Sequence, residues 1–249
     1  MLRVSLVCCT LALAASAPWG ESIPPKPKNG EELIAQMRQR YAGKWYRTVT
    51  FTQKTTLPDK VETWYEALQL PGKLRIDVAP LDSMKAILFR NDSIYQIEGG
   101  QIKDSAAFVH PLMVLGFDVY EDPVQKTVER LKALNFDLSK LYQATWQGRP
   151  TYVVGAAPGD TTSPQFWIDA ERLYFVRSLE PSRKNPAVIN DTRFDKYVRL
   201  AGGWLELEVL FLANGEQRVK EEYSTPKANV KLDPAIFEPH PWIAPGWVK

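Results

Sequence analysis

The feature that most constrains this chain is a two-residue alternation of apolar and polar side chains, which starts near Lys44 and recurs to about residue 225. In the first such run, Val49 and Phe51 fall on one face and threonines fall on the other. Short turns, such as Pro71-Gly72 and Asn214-Gly215, separate the runs. This period is typical of β-strands with one buried face, and turns this short join antiparallel neighbours. The pattern predicts an antiparallel meander rather than a parallel sheet.

Strands are predicted along most of the chain. After the first run they cover Val61–Leu70, Lys73–Val78, Ala86–Arg90, Ser93–Glu98, Gln101–Asp104, Leu141–Trp146, Thr151–Ala156, Gln165–Asp169, Leu173–Leu179, Asp191–Leu200, Trp204–Ala213 and Gln217–Thr225. A sheet of about eleven or more such strands curls into a half or whole barrel. The predicted fold class is α+β, and mainly β.

Helical segments are predicted at three places. Glu31 to Tyr41 places its apolar residues on one stripe, and Phe108–Phe117 is almost entirely apolar. Asp122-Pro123 is typical of a helix N-cap followed by proline, and an amphipathic helix follows it. Because the Phe108–Phe117 segment is too apolar for a wet surface, we expect it to plug or cover the curved sheet.

The N-terminus has the layout of a secretory signal: one basic residue, an apolar run over Val4 to Ala15, and small residues at 14–17. Two alternatives stay open, a lipoprotein signal ending at Cys8 and a buried N-terminal helix. Cleavage within Ala14–Ala17 would remove both cysteines, which suits an oxidising exported compartment. The predicted organisation is a signal peptide at 1–17, a proline-rich tether at 18–30, one β domain at 31–239 and a tail at 240–249.

The composition of the chain and its motifs give little indication of a catalytic site. The chain has two cysteines, two histidines and a formal charge of only +2, which excludes zinc clusters and gives no electrostatic grip on nucleic acid. The sequence contains no phosphate-binding glycine loop and no nucleophile elbow. His110 and His240 each lie beside a proline, which favours a structural role for them over that of a catalytic base. The acids of Glu206/Glu208 and Glu221/Glu222 are predicted to be sheet-face or rim charges. We predict no enzyme activity and no cofactor or metal.

Several short segments, in their order, resemble the LolA/LolB type of periplasmic lipoprotein carrier. They are Val49-Thr50-Phe51-Thr52-Gln53-Lys54, Leu70-Pro71-Gly72-Lys73-Leu74-Arg75-Ile76-Asp77, Asn91-Asp92 to Tyr95, Phe166-Trp167-Ile168-Asp169 leading into Phe175-Val176-Arg177, and Phe237-Glu238-Pro239. Together they run through most of residues 31–239. One position departs from the carriers, which place an arginine that ties the lid shut where this chain has Leu70. That departure argues against lid gating by this hydrogen bond, and against release and handover of lipoproteins.

The resemblance implies a periplasmic protein with an incomplete β-barrel, a helical lid and a hydrophobic cavity for acyl chains. Patterning alone favours a barrel filled by its own side chains, whereas the resemblance favours a hollow one. We predict that the cavity and its lid are lined by the residues that the resemblance implies and by residues on the same faces of the strands and the lid segment. They are Val49, Phe51, Trp64, Leu68, Leu74, Ile76, Phe89, Phe108, Leu112, Met113, Leu115 and Phe117.

The function predicted from these observations is an exported carrier of lipid acyl chains or lipoproteins between membranes. Its expected partners are the cargo and, transiently, a membrane or membrane protein; the carrier itself is expected to be a monomer. Two alternatives stay open: a non-transporting sensor or assembly module on the same fold, similar to RseB, and a hydrolase whose acids the sequence does not locate.

Overall fold

The computed structural model describes residues 25–248 of the 249-residue chain. The predicted signal peptide, its cleavage site, the alternatives for that segment and the first part of the tether lie outside the described residues. None of the helices within residues 25–248 has the length and apolar character needed to cross a membrane.

Thirteen strands form one antiparallel sheet, which confirms the mainly-β fold class. In chain order the elements are α1 (Gly30–Tyr41), β1 (Thr48–Thr56), β2 (Val61–Gln69), β3 (Lys73–Val78), β4 (Lys85–Arg90), β5 (Ser93–Glu98), β6 (Gln101–Ala107), α2 (Pro111–Gly116), α3 (Val124–Ala133), β7 (Leu141–Trp146), β8 (Arg149–Val154), β9 (Gln165–Asp169), β10 (Phe175–Pro181), β11 (Ile189–Asp195), β12 (Val198–Leu200), β13 (Gly203–Leu205), β14 (Glu208–Ala213) and β15 (Glu216–Ala228). Short 3-10 turns cover Leu81–Ser83, Asp118–Tyr120 and Pro234–Phe237.

The sheet is curved and open. Its strand order is β6-β5-β4-β3-β2-β1-β15-β14-β11-β10-β9-β8-β7, so β6 and β7 are edges that do not pair with each other. The pairing of β1 with β15 joins a meander of the first six strands to a second meander formed by the rest. The predicted half-barrel is therefore built from two hairpin series that meet at its centre.

Helix α1 lies on one face of the sheet, which we call the inner face. The Asn29 side chain caps the helix by accepting a hydrogen bond of 2.9 Å from the Glu32 N–H. The apolar stripe of α1 is completely buried in the main apolar cluster; it consists of Leu33, Ile34 and Met37. Burial of each such side chain contributes about 1.5–3 kcal/mol to the free energy of unfolding. The inner face therefore supplies most of the stability that comes from apolar burial.

The opposite face, which we call the outer face, is covered near β3 by the C-terminal segment. Trp242, Ile243 and Trp247 pack with Ile236 and Phe237 over a second, smaller apolar cluster. This covering explains why β3 is buried on both faces although its residues alternate in polarity. The residues predicted to be a tail thus continue across the sheet as far as residue 248.

A buried ion pair fixes this outer covering. Arg75 donates to both carboxylate oxygens of Asp77 at 2.9 and 2.8 Å, and it also donates to the carbonyl oxygens of Ile236 and Ile243. Its guanidinium lies 4.4 Å from the centroid of the Trp242 ring. All three guanidinium nitrogens donate hydrogen bonds in this buried position, which offsets much of the cost of removing the charge from water.

Several predicted boundaries are wrong. The predicted strands Asp191–Leu200 and Trp204–Ala213 are each interrupted, because Lys196 adopts a positive φ of 55° and the tip folds away as the separate β12–β13 hairpin. Helix α2 covers only part of Phe108–Phe117, since His110 precedes a proline and is held extended. Asp122 does not cap α3, because its carboxylate binds Lys126 and Arg130 instead.

The stability of the outer covering should depend on the buried Arg75–Asp77 ion pair. We expect Asp77→Ala to lower the free energy of unfolding by about 3–5 kcal/mol, because it leaves a buried guanidinium without its counter-charge. Urea denaturation of the purified protein measures the change. Glu216→Ala, which removes an exposed ion pair with Arg218, is the control and should cost less than about 1 kcal/mol. Equal effects of the two substitutions would contradict the assigned role of the buried pair.

Candidate functional site

The inner face of β1 to β4 carries an apolar row that crosses all four strands. Val49 pairs with Leu68, and Leu68 pairs with Leu74, so their side chains share one face. The same row continues from Leu74 to Phe89 on β4. A second row, beside the first, runs from Phe51 through Glu66 to Ile76, so one buried carboxyl group interrupts it. Cross-strand pairs of this kind stabilise the sheet and also form an apolar wall.

The structure brings all the predicted cavity and lid residues into one cluster. The buried members are Val49, Phe51, Leu68, Leu74, Ile76, Phe89, Met113, Leu115 and Phe117. Trp64, Phe108 and Leu112 are partly buried and pack against them. Helix α2 therefore covers the inner face as expected of a lid, whereas a ligand-binding role for these residues stays a prediction.

The space beneath the lid is small. A cleft with about 20 Å³ of free space, room for about one water molecule, lies between α2 and the ends of β4 and β5 and is partly open to solvent. Small-molecule sites usually enclose about 300–1,000 Å³. Side chains of α1 and α2 occupy the deep part of the inner face, so the cleft in this conformation is too small for a whole acyl chain. Binding such a chain requires α2 to move.

Part of the inner face is nevertheless less tightly covered. Apolar side chains on several strands are only half-buried there: Trp64, Ile87, Ile94 and Phe211. Like Phe108 and Leu112 of the lid segment, they pack against the buried residues of the main cluster. An apolar rim of this kind is the part of the surface that a ligand would reach first.

A group of polar contacts, which we call the latch, holds the lid region. The Gly72 N–H donates to the Asp118 carboxylate at 2.8 Å, directly after α2. Arg130 of α3 lies 2.9 Å from carboxylate oxygens of both Asp122 and Asp92, and 3.4 Å from Asp118. Since Asp92 belongs to the β4–β5 turn, the latch connects the sheet to the lid and to α3. It does so without the arginine that carriers place at the position of Leu70.

The latch contains a carboxyl group that is easily protonated. The pKa of Asp118 is raised to about 7, mainly by burial and also by the nearby Asp122 carboxylate. The hydrogen bond from the Gly72 N–H and the charge of Arg130 act in the opposite direction. The neighbouring His110 packs edge-on against the Phe89 ring, and burial lowers its pKa to about 4. His110 is therefore neutral at physiological pH.

Three carboxyl groups lie on the inner side of the sheet, and the sequence prediction missed them as a group. Glu66 and Glu206 are 5% and 1% exposed, and Glu221 lies close enough to raise the pKa of both. The prediction that Glu206 and Glu221 are sheet-face or rim charges is wrong for Glu206, which is buried. For Glu66 a clue was available, because alternation places it on the same face as Trp64 and Leu68.

Glu208 and Glu222 point away from this group. Glu208, which is 8% exposed, binds Lys196 and Lys220, whereas the more exposed Glu222 binds Lys54 and Lys220. Within residues 25–248 no group of three or more His, Cys, Asp or Glu side chains has the geometry to hold a metal ion. The inner carboxyl groups thus converge without forming a metal site.

Comparison with solved structures agrees with this architecture. A domain described as that of an outer membrane lipoprotein-sorting protein from Vibrio parahaemolyticus superposes with a TM-score of 0.57 at 12% identity, over 84% of this chain and 95% of that one. This chain has the LolA-type fold. A LolA superfamily protein from Nitrosomonas europaea gives a TM-score of 0.53 at 11% identity, over 84% and 97% of the two chains.

The same LolA-type fold extends to a DUF1329 family protein from Desulfovibrio piger, with a TM-score of 0.55 at 14% identity over 84% and 95% of the chains. No protein-family model and no curated protein matches this chain in sequence. At identities this low the likeness establishes the fold, and the function has to be argued from the site itself.

The latch predicts a pH dependence of stability. The folded protein holds a proton on Asp118 up to about pH 7, whereas the unfolded chain loses it near 3.8. The free energy of unfolding should therefore fall, through this group, as the pH rises from about 4 to about 7. Asp118→Asn should make that fall smaller, as measured by urea denaturation across the pH range. Asp104→Asn, on the exposed strand β6, should leave it unchanged. An unaltered slope in Asp118→Asn would contradict the prediction.

Proposed function

We propose that this protein is an exported carrier that shelters acyl chains of lipids or lipoproteins against the inner face of its half-barrel. The observation that carries this proposal is the apolar row that crosses the inner face from Val49 to Phe89 and is covered by α2, a helix of only six residues. Helix α2 is held by the apolar contacts of Met113 and Leu115 and by the latch that follows its C-terminal end, and none of its residues pairs with a strand, so it can move without disrupting the sheet. The LolA-type fold supports the same reading.

The energetics of burial agree with such a role. An acyl chain gains about 0.8 kcal/mol for each methylene removed from water, or roughly 12 kcal/mol for a chain of about sixteen carbons. The carrier can use part of that free energy to displace α2 and separate it from the sheet. The acyl chain should be bound somewhat less favourably in the carrier than in a membrane. The cargo can then leave, because its distribution depends on the difference in free energy between the carrier and the membrane.

We further propose a periplasmic location, a monomeric carrier and transient contact with a membrane or membrane protein during transfer. We assign no catalytic role to the protein. The histidine nearest the cleft, His110, is neutral and packs between Phe89 and Phe108. An apolar binding surface with few polar groups needs shape rather than reactive residues.

One observation favours a second candidate, a non-transporting sensor or assembly module on the same fold. The side chains of Leu33, Ile34 and Met37 fill the deep part of the inner face. If α2 never moves, this face is simply the core of a scaffold that binds a protein partner elsewhere. The two candidates differ in whether the apolar face accepts a ligand.

Ligand binding separates these candidates. We expect the mature protein to bind a lipophilic fluorescent dye saturably, to release it on addition of a fatty acid, and to carry extractable lipid when purified. Phe51→Asp should weaken dye binding by about tenfold or more while the sheet remains folded by circular dichroism, because a charged wall excludes acyl chains. Phe51→Leu is the control that keeps the wall apolar.

Two outcomes of that experiment would contradict the carrier. One is the absence of both bound lipid and saturable dye binding in the unsubstituted protein. The other is unfolding of Phe51→Asp with a loss of several kcal/mol, since a buried unpaired charge has that effect in a closed core. Either result would favour the non-transporting module.

The latch should control how fast ligand exchanges. Arg130→Met removes the cation shared by Asp92, Asp118 and Asp122, so we expect dye association and dissociation to accelerate by about tenfold, a change of about 1.4 kcal/mol in each barrier. Stopped-flow fluorescence measures both rates. Lys126→Met, which removes only a contact to Asp122 four residues earlier, should change them little. Unchanged rates in Arg130→Met would show that these contacts do not hold a lid.

A further inference from the structure

The inner face contains a polar patch in which hydrogen-bond acceptors outnumber donors. Gln53 on β1 is completely buried and lies opposite Tyr223 on β15. Glu221 accepts a hydrogen bond of 3.0 Å from the Tyr223 hydroxyl. Glu66 and Glu206 complete the patch, and each of the two adds to the electrostatic effect on Tyr223. We call Gln53, Glu66, Glu206 and Glu221 the acceptor patch.

Two atoms of the acceptor patch lack a partner. The Oε1 atom of Gln53 and one carboxyl oxygen of Glu206 are buried without a hydrogen bond. The amide nitrogen of Gln53 is already engaged, since it donates to the Thr55 hydroxyl at 2.8 Å. A buried polar group without a partner costs about 1–3 kcal/mol, so this arrangement lowers stability unless something else satisfies it.

The patch also lacks a counter-charge. Among the residues that the structure describes, no lysine, arginine or histidine contributes to the electrostatic environment of Glu66, Glu206 or Glu221. Burial is the main cause that raises the pKa of these carboxyl groups, to about 7 for Glu221. An added positive charge would favour the ionised form of one of these carboxyl groups, and the low dielectric would strengthen the attraction between the two charges.

The surroundings of the patch are aromatic and apolar. The ring of Tyr223 stacks on that of Phe51 with 4.3 Å between centroids, and Trp64 lies beside Gln53 on β2. Aromatic faces attract cations, and apolar walls accept hydrocarbon. The carboxyl groups do not form a metal site. An ammonium group fits better, because it brings three hydrogen-bond donors and a positive charge on an apolar stem.

We propose that the acceptor patch binds the protonated primary amine of an amphiphilic ligand whose hydrocarbon part lies on the apolar inner face. This inference rests on the proposed carrier function and narrows its cargo to amphiphiles with an amino group. Gln53, Glu206 and the carboxyl groups of Glu66 and Glu221 supply the acceptors. The apolar side chains of the neighbouring rows supply the rest of the binding surface.

Competition among matched amphiphiles tests the proposal. Dodecylamine, dodecanol and dodecanoic acid share one chain and differ in the head group. Each is titrated at neutral pH into the mature protein loaded with the lipophilic dye. We expect dodecylamine to displace the dye at a concentration about tenfold or more below that of dodecanol, which corresponds to about 1.4 kcal/mol.

Charge-removing variants connect this preference to the patch. The triple variant Glu66→Gln, Glu206→Gln and Glu221→Gln should bind the dye as before but no longer prefer the amine. Because it replaces buried carboxyl groups with neutral amides of the same shape, we expect it to fold. The single variants provide the same test should the triple variant not fold. Glu222→Gln is the matched control, since it alters the next residue of β15, which binds Lys54 and Lys220.

The outcomes are distinguishable from failure of the carrier itself. Dye binding without any preference for the amine, or a preference that survives the glutamine variants, would overturn this inference and leave the carrier standing. Absence of dye binding in the unsubstituted protein would overturn the carrier and the inference with it. Hydrolysis of a glycoside or ester panel that disappears in the glutamine variants would overturn the amine site and assign the acids to catalysis.

Discussion

The pairing of β1 with β15 is the contact on which the rest of the structure depends. It runs from Val49 opposite Ala228 to Thr56 opposite Lys220, with one irregularity near Phe51. Without it the chain would form two separate meanders, each with too little inner surface to enclose anything. With it, Glu66 on β2 and Glu221 on β15 share one wall although more than half the chain separates them. The inner face is thus a product of long-range pairing.

The lid differs from that of the carriers the sequence resembles. In those proteins an arginine before a proline closes the lid, whereas Leu70 here is buried in the apolar cluster. Here the Asp118 carboxylate accepts a hydrogen bond from the Gly72 N–H, and Arg130 of α3 forms an ion pair with Asp92. The position of the cation has changed, but a charged contact still connects the lid region to the sheet. This replacement is compatible with a lid that opens, since part of the contact is a single carboxyl group that burial makes easy to protonate.

Local pattern predicted much of the fold and less of the site. Alternation placed Val49, Leu68 and Phe89 on one face correctly, because a strand with one buried face records that face in its sequence. It did not show which strands pair across the chain, and so the group formed by Glu66, Glu206 and Glu221 was not foreseen. The positive φ at Lys196, which splits two predicted strands, has no local marker, since lysine is not a typical turn residue. The latch also depends on tertiary contacts, because Arg130 and Asp92 meet only in the folded chain.

The late position of β15 has a consequence for how the protein acquires its shape. Strands β1 to β6 can pair with their sequence neighbours as they are made, yet the free side of β1 has no partner until residues 216–228 are available. Arg75 likewise waits for the carbonyl oxygens of Ile236 and Ile243. Contacts this distant in sequence slow folding and keep an unpaired strand exposed in the meantime. A chain of this topology completes its core only after nearly all of it has been synthesised, so its inner face stays open until the last strand and the C-terminal segment are in place.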